Sequence, residues 1–320
     1  YMSILSVKND NVSDSSFVNA QKPVPPAISG YSISGSDDTA LDPAGGQTIL
    51  IAGSGFQRGA TITMDGSAIA VVTFVSSNQL SFTSPAKTAG TYTIYVVNQD
   101  GGTAIYIPGL VYSNLPSWST SAGSIGSYYE TTSISNTLTA TGDAPITYSI
   151  LSGNLPSGVT LSSSGTLSGT LPVTSSPTTY SFTIRATDAQ KQDSDRSFSL
   201  TINPDVVTWV APTQNGSLTV YETQAFSTPL SATSAAGYGV MYAANTLPTG
   251  ITLATNTGVL TGYANTVGTT YTRFTATANT TGRYANSDVT MTVNQDVVTW
   301  SSPTNNTNYT LSQGAVMSSV

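Results

Sequence analysis

Leu155-Pro156-Ser157-Gly158-Val159-Thr160-Leu161 returns as Leu247-Pro248-Thr249-Gly250-Ile251-Thr252-Leu253. Gly165-Thr166-Leu167-Ser168-Gly169 likewise returns as Gly258-Val259-Leu260-Thr261-Gly262, and Tyr180 through Asp188 corresponds loosely to Tyr271 through Asn279. The three tryptophans, Trp118, Trp209 and Trp300, stand 91 residues apart. The first follows Leu115-Pro116-Ser117, and the other two close the string Asp-Val-Val-Thr-Trp. A period near ninety residues is the length of one small β-sandwich, about 100 residues. It lies well above the roughly 20–50 residues of solenoid repeats. The repeats divide the chain into units 114–204 and 205–295, with 296–320 the start of a further, truncated repeat in which Trp300 and Pro303 echo Trp209 and Pro212.

Upstream of the repeats, residues 1–23 carry Asn9-Asp10-Asn11 and Ser13-Asp14-Ser15-Ser16 with scattered apolar positions. They read equally as an extended arm or as the end of a preceding domain. Lys22-Pro23-Val24-Pro25-Pro26 then forms a stiff hinge into a unit at 24–113. Within it, Thr48-Ile49-Leu50-Ile51-Ala52 and Thr91 through Val97 are strand-like, and Asp65-Gly66 after Thr61-Ile62-Thr63-Met64 is a hairpin turn signal. Short strands at this spacing without a helical period predict an all-β sandwich.

Gly45-Gly46-Gln47-Thr48, Ile51-Ala52-Gly53-Ser54-Gly55-Phe56 and Ala60-Thr61-Ile62-Thr63-Met64-Asp65-Gly66 resemble the IPT/TIG family of immunoglobulin-like domains. Ser84-Pro85, Gly90-Thr91-Tyr92, Val96-Val97-Asn98 and Leu110-Val111-Tyr112 continue the likeness in order. Gly53 and Gly55 permit a turn before Phe56, which is placed to plug the core. The Leu-Pro-x-Gly strings of the next two units, with the Gly-x-Leu-x-Gly strings that follow them, resemble He_PIG immunoglobulin-like domains, cadherin-like modules of bacterial surface and phage virion proteins. The fold class these resemblances imply is all-β: tandem immunoglobulin-like β-sandwiches in an extended rod. Junctions are short, Asn203-Pro204-Asp205 and Asn294-Gln295-Asp296, with no Gly/Ser linker, so neighbours are expected to be held with limited freedom.

Composition narrows the chemistry. Charged residues make up 8% and the net charge is −7, against about 25% charged in ordinary soluble proteins. Ser, Thr, Asn and Gly keep the surface wet instead. No basic cluster supports nucleic-acid binding. No apolar run reaches the roughly 18 residues of a membrane-crossing helix, and no signal peptide is visible. Residue 1 is Tyr, so the sequence is expected to start inside a longer or processed product, as the cut repeat at Val320 also suggests.

With no His and no Cys, nucleophilic triads and the usual zinc sets are removed. Paired carboxylates are the remaining catalytic option. The two glutamates, Glu130 and Glu222, stand at equivalent places in successive units, cannot meet in one site, and are read as structural. The loop Asp188-Ala189-Gln190-Lys191-Gln192-Asp193-Ser194-Asp195 offers calcium-type oxygens. Lys191 opposes that reading, and the next unit has Asn279 and Gly282-Arg283-Tyr284 there, so a solvated hairpin is favoured. Asp37-Asp38 with Asp42 is a second acidic stretch. No metal, no cofactor and no catalytic residue is therefore assigned, and binding residues are left unassigned. Tyr128, Tyr129, Tyr238, Tyr242, Tyr263 and Tyr284 serve packing or, less favoured, glycan contact. The tryptophans either fill their own sandwich or wedge against the preceding one. Sequons at Asn11, Asn215, Asn279, Asn305 and Asn308 are expected by chance in so polar a chain.

These readings, with the resemblance, imply a non-enzymatic virion structural protein of a tailed bacteriophage: a fibre, or a capsid, neck or tail decoration, outside the cell. The alternative is a bacterial cell-surface adhesin or filament subunit. Expected partners are other virion proteins and host-surface glycans or proteins, with homo-oligomer assembly, no nucleic acid and no membrane insertion.

Overall fold

A computed structural model describes residues 22–297. Those residues form strands and turns and no helix, in three stretches that each bury a separate core. The cores run from Ile33 to Tyr112, from Trp118 to Ile202, and from Val207 to Val293. We call the three bodies around them modules 1, 2 and 3.

Module 1 packs two four-stranded sheets. One orders Ala27–Ile33, Thr48–Ser54, Gln79–Thr83 and Val72–Ser76; the other orders Ser67–Ala68, Thr61–Met64, Gly90–Val97 and Thr103–Tyr112. Alternation along the strands sends Ile49, Ile51, Ile62, Met64, Ile94 and Val96 into the space between them, all fully buried. Phe56 joins this core at 3% exposure, as its sequence position predicts. Gly53 is what lets it in. A Cβ there would stand 2.0 Å from the Ala27 carbonyl oxygen and 2.5 Å from the Phe56 ring.

Modules 2 and 3 share one topology. In each, a four-stranded sheet is built on a long antiparallel hairpin, Thr178–Thr187 with Asp193–Asn203 in module 2 and Gly268–Ala278 with Tyr284–Asn294 in module 3. The first strand of that sheet, Gly123–Tyr129 or Gly216–Tyr221, runs parallel to the hairpin's second arm. A three-stranded sheet faces it, made of Ser133–Thr137, Thr166–Thr170 and Val159–Leu161, or Ala225–Pro229, Val259–Tyr263 and Ile251–Leu253. The repeated strings have a steric reason. Gly158 and Gly169 cross so closely that a Cβ on Gly169 would sit 2.0 Å from the Gly158 carbonyl oxygen, and Gly262 meets Gly250 at the same 2.0 Å. Only glycine fits such a crossing.

Trp118 and Trp209 pack in their own sandwiches. Trp118 lies 5.4 Å from the Phe198 ring and 5.6 Å from Tyr148, and its indole N–H donates to the Ser194 carbonyl at 3.0 Å. Trp209 lies 5.9 Å from Tyr242 and donates to the Ala285 carbonyl at 2.9 Å. The indole thus fills apolar space while its polar edge ties the short strand that carries it, Ser117–Trp118 or Val207–Ala211, to the long hairpin. Trp300 falls outside the described residues, as do 1–21 and 298–320.

Candidate functional site: the joints between modules

Most of the ionisable side chains that the sequence singled out, Asp37, Asp42, Lys191, Glu130 and Arg283 among them, converge at the two places where modules meet, while Glu222 lies at the far end of module 3. At the joint of modules 2 and 3, the strand Gly123–Tyr129 ends in a turn that folds Glu130 inward. The Glu130 N–H donates to the Asn203 carbonyl at 2.9 Å, and Thr131 takes a left-handed φ of 61° while its N–H reaches the Leu171 carbonyl at 3.0 Å. Glu130 is completely buried.

Its partner comes from the next module. Arg283, at the turn of module 3's long hairpin, donates from Nε to Oε1 at 2.8 Å and from a terminal nitrogen to Oε2 at 3.0 Å. This is the two-pronged geometry that suits a guanidinium to a carboxylate. The same terminal nitrogen of Arg283 also donates to the Thr174 carbonyl. Two backbone donors complete the carboxylate: Thr174 N–H to Oε2 at 2.8 Å and Asp205 N–H to Oε1 at 3.1 Å. The Tyr238 hydroxyl of module 3 donates to the Glu130 carbonyl at 3.1 Å and accepts from the Thr131 hydroxyl at 3.0 Å. Burial alone would push the Glu130 carboxyl up. Arg283 and the two backbone N–H groups outweigh it and hold the group below its ordinary value.

Asp205, in the linker itself, is 3% exposed. It accepts from the Ser234 hydroxyl at 2.7 Å, the Ala236 N–H at 3.0 Å and the Thr281 hydroxyl at 2.9 Å. Burial raises its pKa, but these donors bring it down to a net lowering. Linker, loop and hairpin are thereby fastened to one carboxylate.

The joint of modules 1 and 2 uses the same hairpin turn with different side chains. The Gln190 carbonyl accepts from the Thr39 N–H at 2.8 Å. Gln192, fully buried, donates from Nε2 to Asp42 at 3.0 Å and to the Ser113 carbonyl at 3.2 Å. Lys191 pairs with Asp37 at 3.1 Å on the surface. The Ser113 hydroxyl bonds the Asp143 carboxylate. Asp188 is 5% exposed; its Oδ1 accepts from the Gln190 and Gln192 N–H groups, both at 2.9 Å, while Oδ2 has no donor among the described residues. Burial, with Asp143 and Asp193 nearby, raises its pKa.

The two acidic stretches that the sequence presents separately are therefore one contact region, and the Asp188 loop is not the solvated hairpin expected from its polarity. Among the described residues, no three acidic side chains group as metal ligands. Arg283, which the sequence marked only as a departure from a calcium pattern, is the residue that closes the second joint. Its signal was scarcity: with nine Lys and Arg in the chain, a cation on a hairpin turn is an unusual choice. Glu130 and Glu222 do stay apart, as the repeat demands. Of the tyrosines, Tyr242 is in the core, Tyr128 is half-buried, Tyr238 is at the joint, and Tyr129, Tyr263 and Tyr284 are exposed without converging on a shared site. A cleft of about 580 Å³ in module 1 is lined by Met64, Ile69, Val71 and Phe82, and among the described residues Lys87 is the one ionisable group on it.

The He_PIG family model, described as "Putative Ig domain", matches residues 108–203 and 207–295, more than half of the chain. The chain belongs to the He_PIG family. Ahead of the He_PIG repeats, the IPT/TIG domain model matches residues 32–113. No curated protein matches the sequence significantly. Solved structures similar to this He_PIG chain include extracellular cadherin domains 3–6 of protocadherin gamma B2, at 16% identity and a TM-score of 0.27, covering 84% of this chain and 76% of that one. A titin I-band fragment matches at 13% identity and a TM-score of 0.34, covering 86% and 100%. An endo-fucoidan hydrolase of glycoside hydrolase family 107 matches at 14% and 0.29, covering 87% of this chain and 46% of that enzyme.

Proposed function

We propose that this He_PIG chain is a non-enzymatic structural segment that holds its ends at a fixed separation, and that it belongs to the exterior of a tailed-phage virion as a fibre or as a capsid, neck or tail decoration. The observation that carries the spacer reading is the joint itself. Glu130, buried and bonded by Arg283 of the following module, makes the relative placement of two sandwiches depend on a specific pair of side chains rather than on a free linker. Exposed loops of such a segment would contact other virion proteins, or host-surface glycans or proteins, and copies of the chain would associate side by side in a fibre. Low charge, the absence of His and Cys, and the pairing of an IPT/TIG module with He_PIG modules support the virion placement.

The test is electron microscopy of purified particles with a gold label against module 1. Label on tails, necks or capsids supports the reading. Label on bacterial envelopes instead would assign the chain to a cell-surface adhesin and overturn the virion placement.

A further inference from the structure

We propose that the far end of module 3 is a docking socket for another module of the same type, with Glu222 as the acceptor for a basic side chain on that module's long hairpin. This rests on the spacer reading above and extends it to a surface that has no partner among the described residues.

The turn that carries Glu130 is repeated around Glu222. At the end of module 2, the Glu130 N–H reaches Asn203 O at 2.9 Å, Thr131 N–H reaches Leu171 O at 3.0 Å, and Thr132 N–H reaches Tyr129 O at 3.3 Å. At the end of module 3, Glu222 N–H reaches Asn294 O at 2.9 Å, Thr223 N–H reaches Ala264 O at 2.9 Å, and Gln224 N–H reaches Tyr221 O at 3.3 Å. Thr131 and Thr223 share the same left-handed twist, φ 61° and 63°. A non-glycine residue held there is uncommon, and its recurrence shows that the same backbone turn carries both glutamates. Tyr129 pairs with Asn203 and Tyr221 with Asn294 in equivalent parallel registers. The aspartate that follows, Asp205 or Asp296, occupies the same place in each linker.

The two sockets differ in what fills them. Glu130 is completely buried under Arg283, whereas Glu222 is half-buried and receives no side-chain hydrogen bond among the described residues. What the socket takes is readable from the two joints in hand. Both place a cation from the long hairpin against a carboxylate of the preceding module, Lys191 on Asp37 at 3.1 Å and Arg283 on Glu130 at 2.8 Å. The sequence after Asn294 supplies the start of such a module, because Asp296-Val297-Val298-Thr299-Trp300 repeats Asp205-Val206-Val207-Thr208-Trp209 residue for residue. The occupant is therefore a sandwich of this repeat carrying arginine or lysine at the turn of its hairpin. Arginine satisfies both carboxylate oxygens at once.

The identical strings make the test direct. In the full chain, residues 296–320 are replaced by a second copy of residues 205–295, which sets a second Arg283 hairpin beyond Glu222 without altering the seam. Spin labels on module 3 and on the added copy report the spread of their separation, and labels on modules 2 and 3 report the existing joint. The expected result is a narrow distribution at both joints, broadened at least twofold by Glu222→Gln at the new joint and by Glu130→Gln at the old one. The charge-conserving Glu222→Asp checks that a change of side chain alone does not release the joint, and is expected to keep most of the narrowing. A narrow new joint that Glu222→Gln leaves unchanged, or a broad new joint in the parent, overturns the socket. If Glu130→Gln also leaves its joint narrow, the spacer reading falls with it.

Discussion

Replacing Arg283 by Met leaves the Glu130 carboxylate buried with its countercharge gone. Breaking a buried pair by removing one partner costs about 3–5 kcal/mol. Two features of this joint place the cost at the lower end. The Arg283 side chain is 33% exposed, so water already shares part of its field. Glu130 also keeps the Thr174 and Asp205 N–H donors after the guanidinium is lost. A loss of about 3 kcal/mol corresponds to roughly a hundredfold in the opening equilibrium of the joint. Those two amides are themselves the assay, because they exchange with solvent only when Glu130 lets go of them. Their protection in the full chain is expected to fall about a hundredfold in Arg283→Met, while amides of the module 2 core, such as that of Phe182, keep theirs. Arg283→Lys should recover part of the loss, since a point charge cannot make both parallel bonds. A fall below about fivefold would give the pair only the worth of a surface ion pair, about 1 kcal/mol or less, and would refute the view that it fixes the joint.

Acid should loosen the second joint more than the first. Glu130 and Asp205 are lowered in the docked state, so their contribution is complete above the ordinary carboxylate range and is lost as pH falls through the lowered values. At the first joint the carboxylates oppose one another: Asp188 and Asp38, raised by burial, favour the docked state as pH falls through that range, while Asp37, lowered by Lys191 across the joint, loses its contribution as pH falls through its lowered value. Spin-label distances across each joint between about pH 6 and about pH 3 read both; a first joint that loosened as far as the second would contradict the assignment. Gly53→Ala should destabilise module 1 by about 3 kcal/mol through collision with the Ala27 backbone and Phe56, read as a lower melting temperature of that module. Trp209→Ala should cost module 3 about 3 kcal/mol, seen in its own melting transition. A distance distribution across the second joint that broadened without a change in that melting transition would show that the indole serves the joint instead.

The repeat period, the strand alternation and the turn glycines made the fold legible, because each is a local constraint that one stretch of chain carries by itself. Gly158 and Gly169 are a case in point: the strings around them recur because two backbones must cross at that spot, and the same collision recurs at Gly250 and Gly262. The joints were not legible in the same way. Glu130 and Arg283 lie 153 residues apart, and no pattern within either repeat joins them. The same position in the hairpin turn carries Gln192 in one module and Arg283 in the next, so aligning the repeats shows a difference and not a motif. Asp188 misled for a further reason. Its polar surroundings read as a solvated loop, yet they are polar because the turn meets Thr39, Asp42 and Ser113 of the preceding module.

That difference between the joints has a physical use. Sandwiches of one topology present similar surfaces, and a chain built from several could pair the wrong neighbours during folding, a known failure of repeat proteins. Buried ion pairs add little net stability over apolar packing, but a mismatched one leaves an uncompensated charge and is strongly penalised. In a chain with 8% charged residues, few stray charges compete for Glu130 or for Asp42. Module 3's hairpin set on module 1 would bring Arg283 where Gln192 now donates to Asp42 and to the Ser113 carbonyl. Module 2's hairpin set on Glu130 would offer an amide to a buried carboxylate that needs a full countercharge. Swapping the two turns, Gln192→Arg together with Arg283→Gln, is thus expected to loosen both joints and leave the three cores intact. Amide protection at Thr39 and Asp205 would report the joints, and module melting the cores. Joints that kept their protection after the swap would show that the backbone contacts alone choose the neighbour.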